Sequence, residues 1–461
     1  MKVRELLKLG LSERGAKIAI ASCSRAKLNP KALRELIPQI IENPQPYIND
    51  STWGELADLL TSNVKLQFVP REKPAPWKKW GDNFEAQCMA QLEAAVELPI
   101  SVRGALMPDG HTGYGLPIGG VLATENAIIP YAVGMDIACR MRLSVFNIPA
   151  SSINGQREKL KNALSHETCF GVGMGFRDKN RRMHDVLDDD WSISPITHGQ
   201  KDKAWTQLGS SGSGNHFVEF GTLTLDKPDL GLEPGVYLAL LSHSGSRGVG
   251  GMVANHYSKL AVSNHPELPK HLQHLAWLDM DSQDGQEYWA AMQLMGKYAA
   301  ANHELIHKYV AKNIGAKVIA HVENHHNFAW RETHDGREVI VHRKGATPAD
   351  VGQLGIIPGS MATPGFVVRG LGNQESLRSC SHGAGRVMSR KKAKETFRWA
   401  DAKNMLKSAG VELMQAGLDE VPMVYKNIHD VMDAQKDLVE IVAQFDPKIV
   451  RMAPSGERPE D

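Results

Sequence analysis

The stretch that most restricts the fold is QEYWAAMQLMGKYAAANHELIHKYVAKNIG, residues 286–315. Apolar residues recur along it at helical spacing, and Gly315 suits a C-cap, so it predicts one long helix. Directly after it, KVIAHVE (317–323) and REVIVHRKG (337–345) read as strands, the second alternating cleanly, and GFVVRGLG (365–372) reads as another. Upstream, from about residue 85 to about 250, short β-rich or glycine-rich runs alternate with turn chemistry; GVYLALLSHSGSRG is a strand running into a polar loop. The C-terminal part reads as helical again, in DAKNMLKSAG and YKNIHDVMDAQKDLVEIVAQF, before a charged tail, SGERPED, that is expected to fray. Strand and helix mixed without regular βαβ alternation predict an α+β fold rather than a doubly wound sheet. Residues 1 to about 65 read as helical, with KALRELIPQIIE and STWGELADLLTS as the clearest pieces, and PREKPAPWKKW (70–80) reads as a linker. The expected division is therefore 1–70, a helical extension with its linker, and 71–461, the domain that carries the chemistry.

A hydrophobic fraction of 42% with 23% charged residues is that of a globular chain with a substantial core. The net charge of +1 leaves any nucleic-acid binding to local clusters. Five widely spaced cysteines make no disulfide framework and suit a reducing compartment, where a single thiol can be a ligand or nucleophile. Charged residues interrupt the N-terminal stretch and glycine and proline lace residues 104–139, so neither reads as a leader or membrane span. A cytoplasmic protein without a membrane partner is the expectation.

Five histidines stand beside glycine, serine or asparagine at strand-to-loop junctions: His111 in PDGHTGYG, His216 in GSGNHFVEF, His243 in SHSGSRG, His326 in ENHHNFAW and His382 in CSHGAGR. Flanking glycines let backbone approach a ligand closely, and strand ends can aim several imidazoles at one point. With Asp136 and Cys139 of VGMDIACRM they supply oxygen, nitrogen and sulfur donors suited to Mn, Zn, Co or Fe. Two readings of VGMDIACRM stay open at this point, a metal site and a buried turn holding a small apolar cysteine. HSGSRG, HRKG and GRVMSRKK add Arg247, Arg343, Lys344, Arg386 and Arg390 as anion binders, while Lys391 and Lys392 read as a solvated helix face. GAGR reads as the opening of a helix whose amides face an anion, which makes His382 a candidate nucleophile at phosphorus.

MPDGHTGYGLPIGGV, GSGNHFVEF, HSGSRG, HNFA, HRKGAT, IPGSM and SCSHGAGRVMSR, in this order along roughly residues 100–426, resemble the RtcB family of RNA-splicing and repair ligases. The resemblance implies a single large catalytic domain around a metal-lined central cleft and a GTP- and manganese-dependent ligase. It implies joining of an RNA 3′-phosphate or 2′,3′-cyclic phosphate to a 5′-hydroxyl end through a histidine–GMP intermediate. On it, His382 is the nucleophile and Asp136, Cys139, His216, His243 and His326 hold two Mn²⁺ ions, the thiolate shared; Zn²⁺ or Co²⁺ can take the site in vitro. His325 is a bystander. Asn215, Glu219, Ser360, Gly383, Ala384, Gly385 and Tyr425 match nucleotide-pocket positions, with Glu219 reading guanine N–H groups, and Arg247 matches a phosphate contact. An archease-type activator is a further implied partner. The alternatives are a paralogue that uses a different nucleotide, and a metal-dependent phosphodiesterase that acts on RNA ends without joining them. Ala138 and Arg140 stand where the family usually has glycines. Ala138 is expected to be mild; Arg140 can bind phosphate, pair with an acid or point away.

Overall fold

Two sheets account for most of the strands in the computed structural model of the chain, which describes residues 3–9, 11, 13–26, 28–65, 68–454 and 456. Of the SGERPED tail only Gly456 is among the described residues. The fold divides into two compact units, Met1–Val69 with His265–Lys270, and Pro70–Asn264 with His271–Asp461.

The first unit is built from helices Val3–Lys8, Glu13–Arg25, Pro30–Glu42 and Gly54–Lys65. Helix Pro30–Glu42 begins where Asn29 accepts from the Ala32 N–H and proline occupies the first turn. Its Leu33, Ile37 and Ile40 recur at helical spacing and pack with Leu6, Ala16, Ala19, Trp53 and Leu56.

In the second unit, an eight-stranded sheet runs in the order Leu354–Ile357, Gly365–Gly370, Val439–Met452, Phe217–Leu225, Gly235–Ser244, Arg140–Pro149 and Val318–His325, with Glu412–Gln415 added beside Val439–Met452. Met141, Leu143, Val145, Ala239, Leu241, Val322, Ile356, Val367 and Phe445 form one core on its inner face. Its first and last strands approach each other, the Ile356 N–H donating to Asn324 Oδ1 at 2.9 Å, so the sheet curls around that core. A five-stranded sheet is ordered Trp77–Lys79, Ser101–His111, Ile118–Thr124, Arg337–Lys344 and Asn327–His334. The chain passes from one sheet to the other at His326. Helix Gln283–Ile314, capped by Ser282 and by Gly315 at φ +68°, packs Ile306 and Val310 on Phe146, Phe220, Leu238 and Leu240. Strand pairing among the described residues is antiparallel except at Trp77–Lys79 and Glu412–Gln415, which fits the expected α+β class. No helix among them is long and apolar enough to cross a membrane.

Three local expectations are corrected. YKNIHDVMDAQKDLVEIVAQF is helical only over Ile428–Asp433; from Val439 it is a strand running to Met452, because Ala443 and Phe445 alternate into the inner core and, past a register shift, Ile449 packs with Phe220 on the opposite face. PREKPAPWKKW is not all linker, since Trp77–Lys79 pairs with Gly104–Leu106. GAGR does not open a helix. Gly385 sits at φ +74° with its carbonyl accepting from the Lys426 N–H, and the next helix, Arg390–Thr396, starts after Ser389.

Candidate active site

Register brings the distant motifs to one end of the curled sheet. Phe217 and Met141 both pair with His243, and Arg140 pairs with His325. The residues just outside those pairs, His216, Cys139 and His326, therefore lie beside His243. Cys139 Sγ is 3.0 Å from His243 Nε2 and 3.4 Å from His216 Nε2, and His243 Nε2 is 3.2 Å from His326 Nε2. Asp136 Oδ2 is 3.1 Å from His216 Nε2, and Asp136 Oδ1 accepts from the Ser246 N–H. All five side chains are buried. Burial moves His243 down to about 3 and His326 well below the ordinary imidazole range, with neighbouring histidines adding to it. Burial alone would raise Asp136; His216 and Arg247 outweigh it and hold the carboxyl below its ordinary range.

These residues fit a divalent metal. Imidazoles, a thiol and a carboxylate converge, with Cys139, His216 and His243 donor atoms within 4.8 Å of one another. Metal bonds of about 2.0–2.3 Å place adjacent ligands about 3.3–3.8 Å apart, close to the spacing here. His243 Nδ1 faces the Asn215 carbonyl at 3.3 Å, and a carbonyl only accepts, so the Nε2 lone pair is turned to the cluster.

His382 follows strand Ser379–Ser381 and touches the same centre, its ring centroid 5.0 Å from that of His326. Its Nδ1 donates to Asp109 Oδ2 at 2.6 Å, and that oxygen also accepts from the His382 and Gly383 N–H groups at 3.0 and 3.2 Å. Burial would raise fully enclosed Asp109, yet His382 overcomes it and the carboxyl stays ionised. With the proton fixed on Nδ1, His382 Nε2 keeps its lone pair. Gly385 closes this corner; a Cβ there would stand 2.1 Å from the Asp109 carbonyl oxygen.

A cavity of about 710 Å³ opens onto Asp136, Cys139, His216, His243, His326 and His382. Asn215, Glu219, Ser360, Gly383, Ala384, Gly385 and Tyr425 also line it. Burial lifts Glu219 to about 8 and brings Lys344, which also lines the cavity, down to about 7. Arg386 and Arg390 line it too, both paired with Glu420, which also accepts from the Tyr425 hydroxyl.

The sequence model of the family described as "tRNA-splicing ligase RtcB" matches residues 91–194 and 189–453. This chain belongs to the RtcB family. The RNA-splicing ligase RtcB of Escherichia coli (strain K12) is 35% identical over 399 residues, covering 80% of this chain and 95% of the relative. The tRNA-splicing ligase RtcB of Nanoarchaeum equitans is 32% identical over 438 residues, 79% of this chain and 91% of its own. That of Thermococcus kodakarensis is 30% identical over 417 residues, 74% and 86% respectively.

Within this RtcB fold the other singled-out residues make contacts with the protein itself. Arg247 lies behind His216, its Nη1 3.2 Å from His216 Nδ1 and its Nε donating to Ser210 Oγ. Arg343 faces away from the cavity and holds Glu332 at 2.6 Å. His325 stacks on Trp330, ring centroids 5.0 Å apart. Arg140 pairs with Glu323 at 3.4 Å and donates to the Gly296 carbonyl, so of its three roles it takes the pairing with an acid. Lys391 is solvated as expected, but Lys392 lines the cavity. Sequence reasoning passed over Asp109, although MPDGH places a carboxylate two residues before a singled-out histidine; its partner lies 273 positions away. Glu420 carried no signal.

Proposed function

We propose that this chain is an RNA ligase joining RNA 3′-phosphate or 2′,3′-cyclic phosphate ends to 5′-hydroxyl ends through GMP-bound His382. The observation that carries it is His382, its Nδ1–H spent on Asp109 and its ring against the Cys/His cluster in one cavity. Nε2 attacks the α-phosphorus of GTP; the N–P bond forms as the P–O bond to pyrophosphate breaks, the pair leaving on oxygen. Asp109 holds the proton at Nδ1 and stabilises the positive charge that grows on the ring. An RNA 3′-phosphate oxygen then displaces imidazole from GMP, and the 5′-hydroxyl attacks the activated 3′-phosphorus, giving up its proton and expelling GMP. A cyclic phosphate is opened by water first. Asp136, Cys139, His216, His243 and His326 would hold two Mn²⁺ ions with Cys139 shared, Zn²⁺ or Co²⁺ substituting in vitro; when bound, such ions neutralise phosphate charge and stabilise the leaving oxygen. Asn215, Ser360, Gly383, Ala384, Gly385 and Tyr425 form the nucleotide pocket, in which Glu219 reads guanine and Arg386, Arg390 and Lys344 face phosphate. An archease-type activator is a further proposed partner, residues 1–70 a helical extension with its linker and residues 71–461 the catalytic domain.

The test supplies an RNA with a 2′,3′-cyclic phosphate end and one with a 5′-hydroxyl end, with Mn²⁺ and either GTP or ATP. A joined product with GTP supports the reading. Joining with ATP alone moves it to another nucleotide, and opening of the cyclic phosphate without joining replaces it with a phosphodiesterase.

A further inference from the structure

A second cavity, of about 550 Å³, is a groove lined by Gly173, Arg181, Asp202, Lys203, Trp205, Thr206 and Gln207. Gln207, at the end of helix Pro195–Gln207, is 1% exposed, and among the described residues neither Oε1 nor Nε2 has a hydrogen-bond partner. An unmet buried amide is costly, so a side chain left this way is one a ligand can complete. Beside it the Arg181 guanidinium lies 3.5 Å over the Trp205 ring, steadied by an Nη2 bond to Thr206 Oγ1. Planar cation on indole is a surface on which a nucleobase stacks. Lys203 Nζ donates to the Gly248 carbonyl at 3.2 Å, leaving two of its three donors for an anion. Gly248 stands close by; a Cβ there would lie 3.1 Å from Lys203 Nζ and 3.6 Å from Gln207 Oε1.

Helix Arg247–Asn264 links the two sites, the Gly248 carbonyl holding Lys203 while Arg247 reaches back to His216. We propose that the groove holds one nucleotide of single-stranded RNA: base on the Arg181–Trp205 stack, base edge on the Gln207 amide, phosphate on Lys203. Asp202, on the same wall, keeps a second phosphate out. The proposal rests on the RNA-joining reading.

The experiment titrates the full-length protein, without GTP, into a fluorescently labelled single-stranded RNA and reads anisotropy. Gln207→Leu and Lys203→Gln should each weaken binding about tenfold. Lys203→Gln should also flatten the salt dependence by about 0.7 in slope. Gln207→Leu should unfold no earlier than the wild type, because it removes an unmet polar group; RNA should raise the wild-type midpoint more than the variant's. Equal RNA affinity in both variants and wild type overturns the groove, even if the wild type joins RNA. Binding that weakens as expected in a protein unable to join RNA overturns the ligase reading and supports the groove.

Discussion

At the scale of single residues, the departure expected to be mild is the one with backbone consequences. Ala138 sits at φ +59°, its N–H donating to the Asn327 carbonyl at 2.7 Å, one residue before Cys139. The left-handed region costs a non-glycine residue about 1–2 kcal/mol, offset in part by the greater chain entropy of glycine. Ala138→Gly should therefore raise stability by up to about 1 kcal/mol in a urea titration; a loss of stability would mean the alanine is unstrained. Arg140, next in the chain, turns to the other face of its strand, as period-2 alternation requires once Cys139 faces the cluster. Asp109 has the sharpest chemical role. Asp109→Asn offers a donor where Nδ1–H needs an acceptor, so the other tautomer is favoured and Nε2 loses its lone pair. Guanylylation should fall by about 10⁴-fold, as for a carboxylate that fixes a catalytic imidazole; retention within tenfold would remove Asp109 from the mechanism. The cluster was readable because glycine, serine or asparagine beside each histidine marked strand ends. Asp109 and Glu420 were not, since carboxylates are common and only tertiary pairing singles them out.

At the scale of elements, the long helix and its neighbours illustrate what periodicity can carry. The 3.6-residue repeat and Gly315 were enough to place helix Gln283–Ile314, and clean alternation placed strand Arg337–Lys344. The run DLVEIVAQF failed because a short apolar stretch after a true helix supports either period, and cross-strand partners decide. Likewise the amide-rich GAGR suggested a helix start, but Gly385 takes the φ that turns the loop onto Asp109 instead. The long helix also braces the site. Asn302 accepts from the Gly209 N–H at 2.8 Å and donates to the Gly245 carbonyl at 3.0 Å, the residue before the Ser246 that holds Asp136. Asn302→Ala leaves both groups buried and unmet, costing about 2–4 kcal/mol. It should weaken Mn²⁺ binding by about 10–100-fold in calorimetry. Unaltered metal affinity in the folded variant would confine Asn302 to a structural role.

At the scale of the whole molecule, the two sheets join where the chain crosses at His326, and the second sheet keeps its own ion pair below that crossing. Glu332 accepts from Arg343 at 2.6 Å and lies 2.8 Å from His334 Nε2. Burial would raise its carboxyl, but His334 and Arg343 outweigh it and bring it down to about 2. The folded value is the lower one, so this stabilisation is complete above the ordinary carboxylate range and fades as pH falls from about 4.5 towards 2. Glu332→Gln should lower the unfolding midpoint at neutral pH and make it less dependent on pH in that window; a parallel shift at all pH values would contradict the linkage. Topology on this scale was beyond the sequence, because the eight-stranded order joins strands far apart in the chain, and no local pattern records partners. The central claim is that His382 becomes guanylylated. Incubation with α-labelled GTP and Mn²⁺ should leave acid-labile, alkali-stable label on the wild type and none on His382→Ala. Equal label on both, or none on a metal-loaded wild type, would contradict it.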